Sequence, residues 1–177
     1  MVAADLGLTH VALPVADVDA SAAFYARYAD MEVVHRRVDG EGAGAVGVVW
    51  LSDLTRPFVI VLIQTVVTHT LGGWAHLGVA CESRAEVDAR CARARAEGVA
   101  VDGPFDDGPP VGYWAILDDP DGHHLELAYG QRVDATVAAA GQTQGADAGQ
   151  DVGPTEGQSE GQTAGPAQGP ETPAPGR

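Results

Sequence analysis

Three side chains are best suited to chemistry: His10 in "LTHVALPV", His76 in "WAHLGVAC" and Glu126 in "HHLELAYG". Each lies in a run with the apolar bias of a strand, and strand alternation puts His10 on one face with Ala12 and Pro14, and His76 with Gly78 and Ala80. Glu126 is flanked by Leu125 and Leu127, so it points away from the apolar layer, with His124 on its side. A carboxylate inside an apolar strand is costly unless it is ionised against a cation or paired. Two neutral imidazoles and one carboxylate converging from equivalent strands form a candidate site for a divalent metal.

The elements around these residues repeat. In the first half "LTHVALPV" reads as a strand, and "ADVDASAAFYARYADM" reads as a helix with Asp17 or Asp19 as N-cap and Phe24, Tyr28 and Met31 at helical spacing. In the second half "AHLGVAC" is the strand, and Ser83 with Glu86 forms a capping box for a helix ending near Gly98. Each helix precedes three strand-like runs: "EVVHRRV", "AVGVVWL" and "PFVIVLIQTV", then "VAVDGPF", "YWAILDD" and "HHLELAYG". The chain therefore reads as α+β, with two βαβββ modules at about 6–68 and 72–132 in a domain of 6–132.

From 133 to 177 the composition turns to Gly, Gln, Pro and Thr without aromatic residues, which predicts a disordered tail. The net charge is −15 and all ten cations are scattered arginines, a pattern that argues against a nucleic-acid partner. The N-terminus lacks a basic and apolar leader, and the run "FVIVLI" is too short to span a bilayer, so no membrane partner and a soluble, cytoplasmic protein are expected. Cys81 and Cys91 are too few for a disulfide framework and read as small buried thiols.

The histidine opening, the second "AHLGVA" strand and "DDPDGHHLEL" together resemble the vicinal oxygen chelate superfamily, the group of glyoxalase I, extradiol dioxygenases and bleomycin-resistance proteins. The resemblance implies a cupped mixed sheet from paired modules, and a zinc, nickel, manganese or iron(II) ion on His10, His76 and Glu126. It further implies a homodimer acting on a small-molecule substrate. The family's fourth ligand usually lies on the last strand of the first module, where the natural alignment places Val61; Gln64 is the nearest candidate, and only with a register shift or bulge. By analogy a glyoxalase-type lyase or isomerase is expected, in which the ion stabilises an enediolate and Glu126, with His124 as the other acid-base candidate, moves a proton. Arg36, Arg37 and Arg56 are the candidates for gripping substrate carboxylates. An extradiol dioxygenase fits less well, because Ile116 stands where that signature has tyrosine. A non-catalytic antibiotic-binding protein suits the acidity, although such proteins tend to lack metal ligands.

Tyr113 and Trp114 are substrate-pocket candidates, one facing the pocket by alternation and the other the core. His123, following the "DPDG" turn, reads as solvated, and His35 and His69 as surface residues.

Overall fold

The computed structural model describes residues 7–147. Through Val133 the chain is one compact unit; Asp134 onward forms a second. The first unit runs β1 (His10–Val15), α1 (Val18–Ala29), β2 (Glu32–Asp39), β3 (Val46–Ser52), β4 (Val59–Gln64), β5 (Leu77–Ala80), α2 (Arg84–Ala96), β6 (Val101–Gly108), β7 (Gly112–Asp118) and β8 (His124–Tyr129). This is βαβββ twice. Each module forms its own four-stranded mixed sheet, in the orders β1-β4-β3-β2 and β5-β8-β7-β6, with the first strand parallel to the last.

Local chemistry sets the element ends. Asp17 caps α1, its Oδ1 accepting from the N–H groups of Asp19 and Ala20 at 2.9 and 3.2 Å. Ser83 caps α2 by accepting from Glu86 N–H at 3.2 Å, while the Glu86 carboxylate accepts from Glu82 N–H at 2.6 Å, one residue before the N-cap whose N–H a capping box would engage. On the helix side of the sheets, Leu13, Val15, Leu51, Leu62, Leu117, Leu125 and Leu127 join Tyr25, Tyr28, Val87 and Cys91 in one core shared by both modules. Burial pushes the Cys81 thiol up to about 11, so it is an inert thiol at neutral pH.

The "DPDG" turn locks the modules together. Tyr25 Oη donates to Asp119 Oδ2 at 3.2 Å, and Ala16 N–H donates to the Asp121 carboxylate at 3.1 Å. Burial first, and then the negative charge of Asp119, raise the Tyr25 pKa far above its usual value and keep the phenol a donor. His123 corrects the expectation of solvation: it is 1% exposed, because it shares strand parity with Leu125 and Leu127 and points into the core. Its Nδ1 accepts from Leu71 N–H at 3.0 Å, which leaves Nε2 as the donor to Pro14 O at 2.8 Å.

Val133–Asp147, all but its first residue in the second unit, forms helix α3 within the segment expected to be a tail. The composition argument concerned apolar burial, whereas the alanine-rich run "VDATVAAA" has helix propensity of its own. The rest of the expected tail, 148–177, lies outside the described residues.

Candidate metal centre

The face of each sheet opposite its helix holds a cavity. The first, about 500 Å³, is lined by His10, Ala12, Trp50, Val61, Ile63 and Arg37 among others. The second, about 860 Å³, surrounds His76, Glu126, His124, Trp114 and Ile116, and its walls also carry Asp102, Asp107 and Asp118. Alternation accounts for both sets: Leu13 and Val15 pack inward while His10 and Ala12 face the cavity, and Leu125 and Leu127 pack inward while Glu126 faces out.

In the second cavity His76 Nε2 lies 3.4 Å from Glu126 Oε2, and the glutamate side chain is only 9% exposed. His76 Nδ1 stands 3.0 Å from Trp74 O, and a carbonyl only accepts, so Nδ1 carries the proton. A neutral His76 then turns the lone pair of Nε2 toward a carboxylate oxygen. Two acceptors at that distance repel unless a cation or a proton sits between them. Ligands about 2.1 Å from one tetrahedral ion stand about 3.4 Å apart, so the pair has the spacing of two ligands of one metal. The Trp74 carbonyl fixes the orientation of the His76 ring, as an outer partner does for an imidazole that ligates a metal. On His10, Thr9 Oγ1 engages Nδ1 at 3.0 Å, and Nε2 is again left for a ligand.

Sequence reasoning placed all three candidate ligands on one concave surface of the chain, whereas the structure divides them between two. His10 lies in a different cavity from His76 and Glu126, and among the described residues no group of three or more His, Cys, Asp or Glu side chains converges on a metal position. The physical reason is that the two sheets are separate, each with its own concave face.

Gln64 is also corrected as a ligand. The β1–β4 pairing runs unbroken from His10↔Val59 to Val15↔Gln64, with no bulge to change parity. Val59, Val61 and Ile63 therefore face the cavity, and Gln64 points to the helix side, where its Oε1 would lie 3.0 Å from a Cβ on Gly47. Tyr113 leaves the pocket set for the same reason. It follows the parity of buried Ala115 and Leu117, its Oη donates to Asp88 Oδ1 at 2.6 Å, and Arg84 stacks 4.7 Å from its ring centre. Trp114 is the residue that faces the cavity, oriented by a 2.8 Å hydrogen bond from Nε1 to Asp107 Oδ2. Arg37 and Arg56 line the His10 cavity, whereas Arg36 pairs with Asp19 at 2.8 Å. His35 and His69 are exposed.

One site residue escaped sequence reasoning. Gln131, beyond the last strand, lines the second cavity and donates from Nε2 to Glu126 Oε1 at 2.7 Å. A lone glutamine after a Tyr-Gly pair carries no signal of this contact, which depends on the bend of the chain at Gly130.

The chain belongs to the Glyoxalase/Bleomycin resistance protein/Dioxygenase superfamily, whose family model matches residues 7–127. The uncharacterized protein PA2024 of Pseudomonas aeruginosa is 40% identical over 128 residues, which cover 70% of this chain and 89% of that protein. Among solved structures, the Leishmania major glyoxalase I superimposes with a TM-score of 0.58 at 21% identity, covering 80% of this chain and 99% of that one. A variant of the fosfomycin resistance protein FosX from Listeria monocytogenes, complexed with Mn(II) and 1S,2S-dihydroxypropylphosphonic acid, gives 0.58 at 21% identity, covering 74% and 97%. TnmS3, an antibiotic binding protein from Streptomyces sp. CB03234, gives 0.53 at 25% identity, covering 72% and 98%. At such identities the glyoxalase I and FosX likenesses concern the fold alone.

Proposed function

We propose that this protein is a metal-dependent enzyme of its superfamily, a glyoxalase-like lyase or isomerase acting on a small substrate with two adjacent oxygens. The observation that carries this reading is the approach of His76 Nε2 to Glu126 Oε2 at 3.4 Å, with His76 Nδ1 committed to Trp74 O. The third ligand is His10. Since His10 opens into a separate cavity, the site is completed in a homodimer, where His10 of one protomer joins His76 and Glu126 of its partner. The Mn(II) and the vicinal diol in the FosX complex support a site of this kind in this fold.

A divalent ion bound there supplies a Lewis acid that polarises a substrate oxygen. The chain's own groups do the rest. The Glu126 carboxylate accepts a proton from the carbon next to the polarised oxygen and returns it at the neighbouring position. Trp114 and Ile116 form an apolar wall that keeps water from the reacting carbon. His124 lies on the same strand face as Glu126 and is the second acid-base candidate, with Nε2 3.5 Å from Asp118 Oδ1.

The test is metal content after reconstitution with zinc, nickel, manganese or iron(II), combined with mass by light scattering. One ion per protomer in a dimer is expected, abolished in His76→Ala and retained in His35→Ala. A protein that takes up none of these ions is not an enzyme of this kind, and a small-molecule binding protein becomes the better description.

A further inference from the structure

We propose that Gln131 is a positioning residue, holding Glu126 so that a single oxygen, Oε2, is presented to the cation. This role rests on the metal-site reading above. The contact is 2.7 Å from Gln131 Nε2 to Glu126 Oε1, while Oε2 is the oxygen that faces His76. A carboxylate with one oxygen taken by an amide donor and the other aimed at an imidazole has its plane fixed, and binding through both oxygens would break the hydrogen bond.

The backbone is shaped to make this contact. If β8 simply continued, residues 126 and 131 would be about 16 Å apart and on opposite faces. Gly130 at φ +92° ends the strand, Arg132 follows at φ +51°, and the Gln131 side chain returns over the cavity face. The strand end itself is pinned by close approach: at Gly112, next to the Tyr113 that pairs with Tyr129, a Cβ would meet Tyr129 O at 2.4 Å, so no larger residue fits. The choice of an amide is also informative. An arginine or lysine would orient the carboxylate equally well but would cancel the charge that draws the cation in, whereas a neutral donor orients without neutralising.

The experiment uses the full chain and Co(II), which reports coordination through its visible spectrum. Gln131→Met keeps length and removes the donor. Its Co(II) affinity is expected to fall about 10- to 100-fold, the usual effect of losing an outer partner of a ligand, with a changed absorption envelope as the carboxylate rotates. In a Glu126→Gln background the same substitution should lose much less, because a glutamine whose one oxygen ligates the cation turns its NH2 group, not an acceptor, toward Gln131. Thermal midpoints are recorded for every variant; should Gln131→Met unfold early, Gln131→Asn, which keeps the amide but shortens its reach, is judged by the same spectrum and cycle. Wild-type affinity and spectrum in the Gln131 variants, or additive losses in the double variant, would overturn the positioning role while leaving the metal site standing. Failure of the unaltered protein to bind Co(II) would instead overturn the metal site, and this role with it.

Discussion

Val61 and Glu126 occupy the same position in the two modules: Val61 pairs with Ala12 across β1 and β4, and Glu126 pairs with Gly78 across β5 and β8. Ala12 and Gly78 each lie two residues after a module's histidine, so the second module pairs its histidine with a carboxylate and the first pairs its own with an isopropyl group. In the shared site proposed above, one protomer pair contributes three ligands per site. Val61→Glu should supply a fourth, raising metal affinity at least about tenfold by competition with a chelator, since each added anionic ligand strengthens divalent-ion binding. Unchanged affinity in a folded Val61→Glu variant would mean that Val61 does not face the metal.

Glu126 serves as both ligand and proton acceptor in the proposed chemistry. Glu126→Gln keeps an oxygen ligand but cannot accept a proton at neutral pH. At saturating metal its turnover of a vicinal-oxygen substrate should fall by roughly 10²–10⁴-fold, the range for losing a general base. If that variant turns over normally and His124→Ala does not, the proton role belongs to His124.

Acid should loosen one contact between the modules selectively. The Arg27 guanidinium, and then the Tyr28 hydroxyl, hold the Glu97 carboxyl down at about 2, against an ordinary 4.5. Because folding lowers this pKa, the stabilisation is fully present above about pH 4.5 and is lost as the pH falls toward 2. Thermal midpoints of Glu97→Gln should therefore lie below wild type at neutral pH and converge with it near pH 2. A gap that stays constant over that range would contradict the assignment.

Among the described residues, all the core residues that bind the two sheets together precede Tyr129. Removing everything after Arg132, including α3, should leave the thermal midpoint and metal content of the first unit unchanged. A large fall in midpoint would show that the C-terminal segment contributes to its stability.

The repeat, the element types and the facing of His10, His76 and Glu126 were legible in the sequence, because strand parity and capping residues are local signals. Parity alone also decided against Gln64, once the ladder from His10↔Val59 to Val15↔Gln64 was seen to lack a bulge. His123 was misread because its neighbours in sequence form a turn, while its core contacts, Leu71 and Pro14, lie 52 and 109 residues away. Gln131 was missed for the same kind of reason, since its link to Glu126 depends on the bend at Gly130. The separation of the two half-sites was beyond sequence reasoning as well: a fold with two concave faces and a fold with one have the same alternation of residues.

The central claim is that each site is shared between protomers, and hybrid dimers test it most directly. His10→Ala and His76→Ala each remove a ligand from both sites of their own homodimer, so neither should bind metal. When the two are mixed and allowed to exchange subunits, half of the dimers are hybrids, each with one site that has lost both histidines and one that is intact. Metal content should then recover to about a quarter of the wild-type level, the statistical value for a two-fold dimer. Recovery to that level supports a shared site; no recovery, with exchange verified by mass, would mean that His10 and the His76–Glu126 pair do not hold one ion between two protomers.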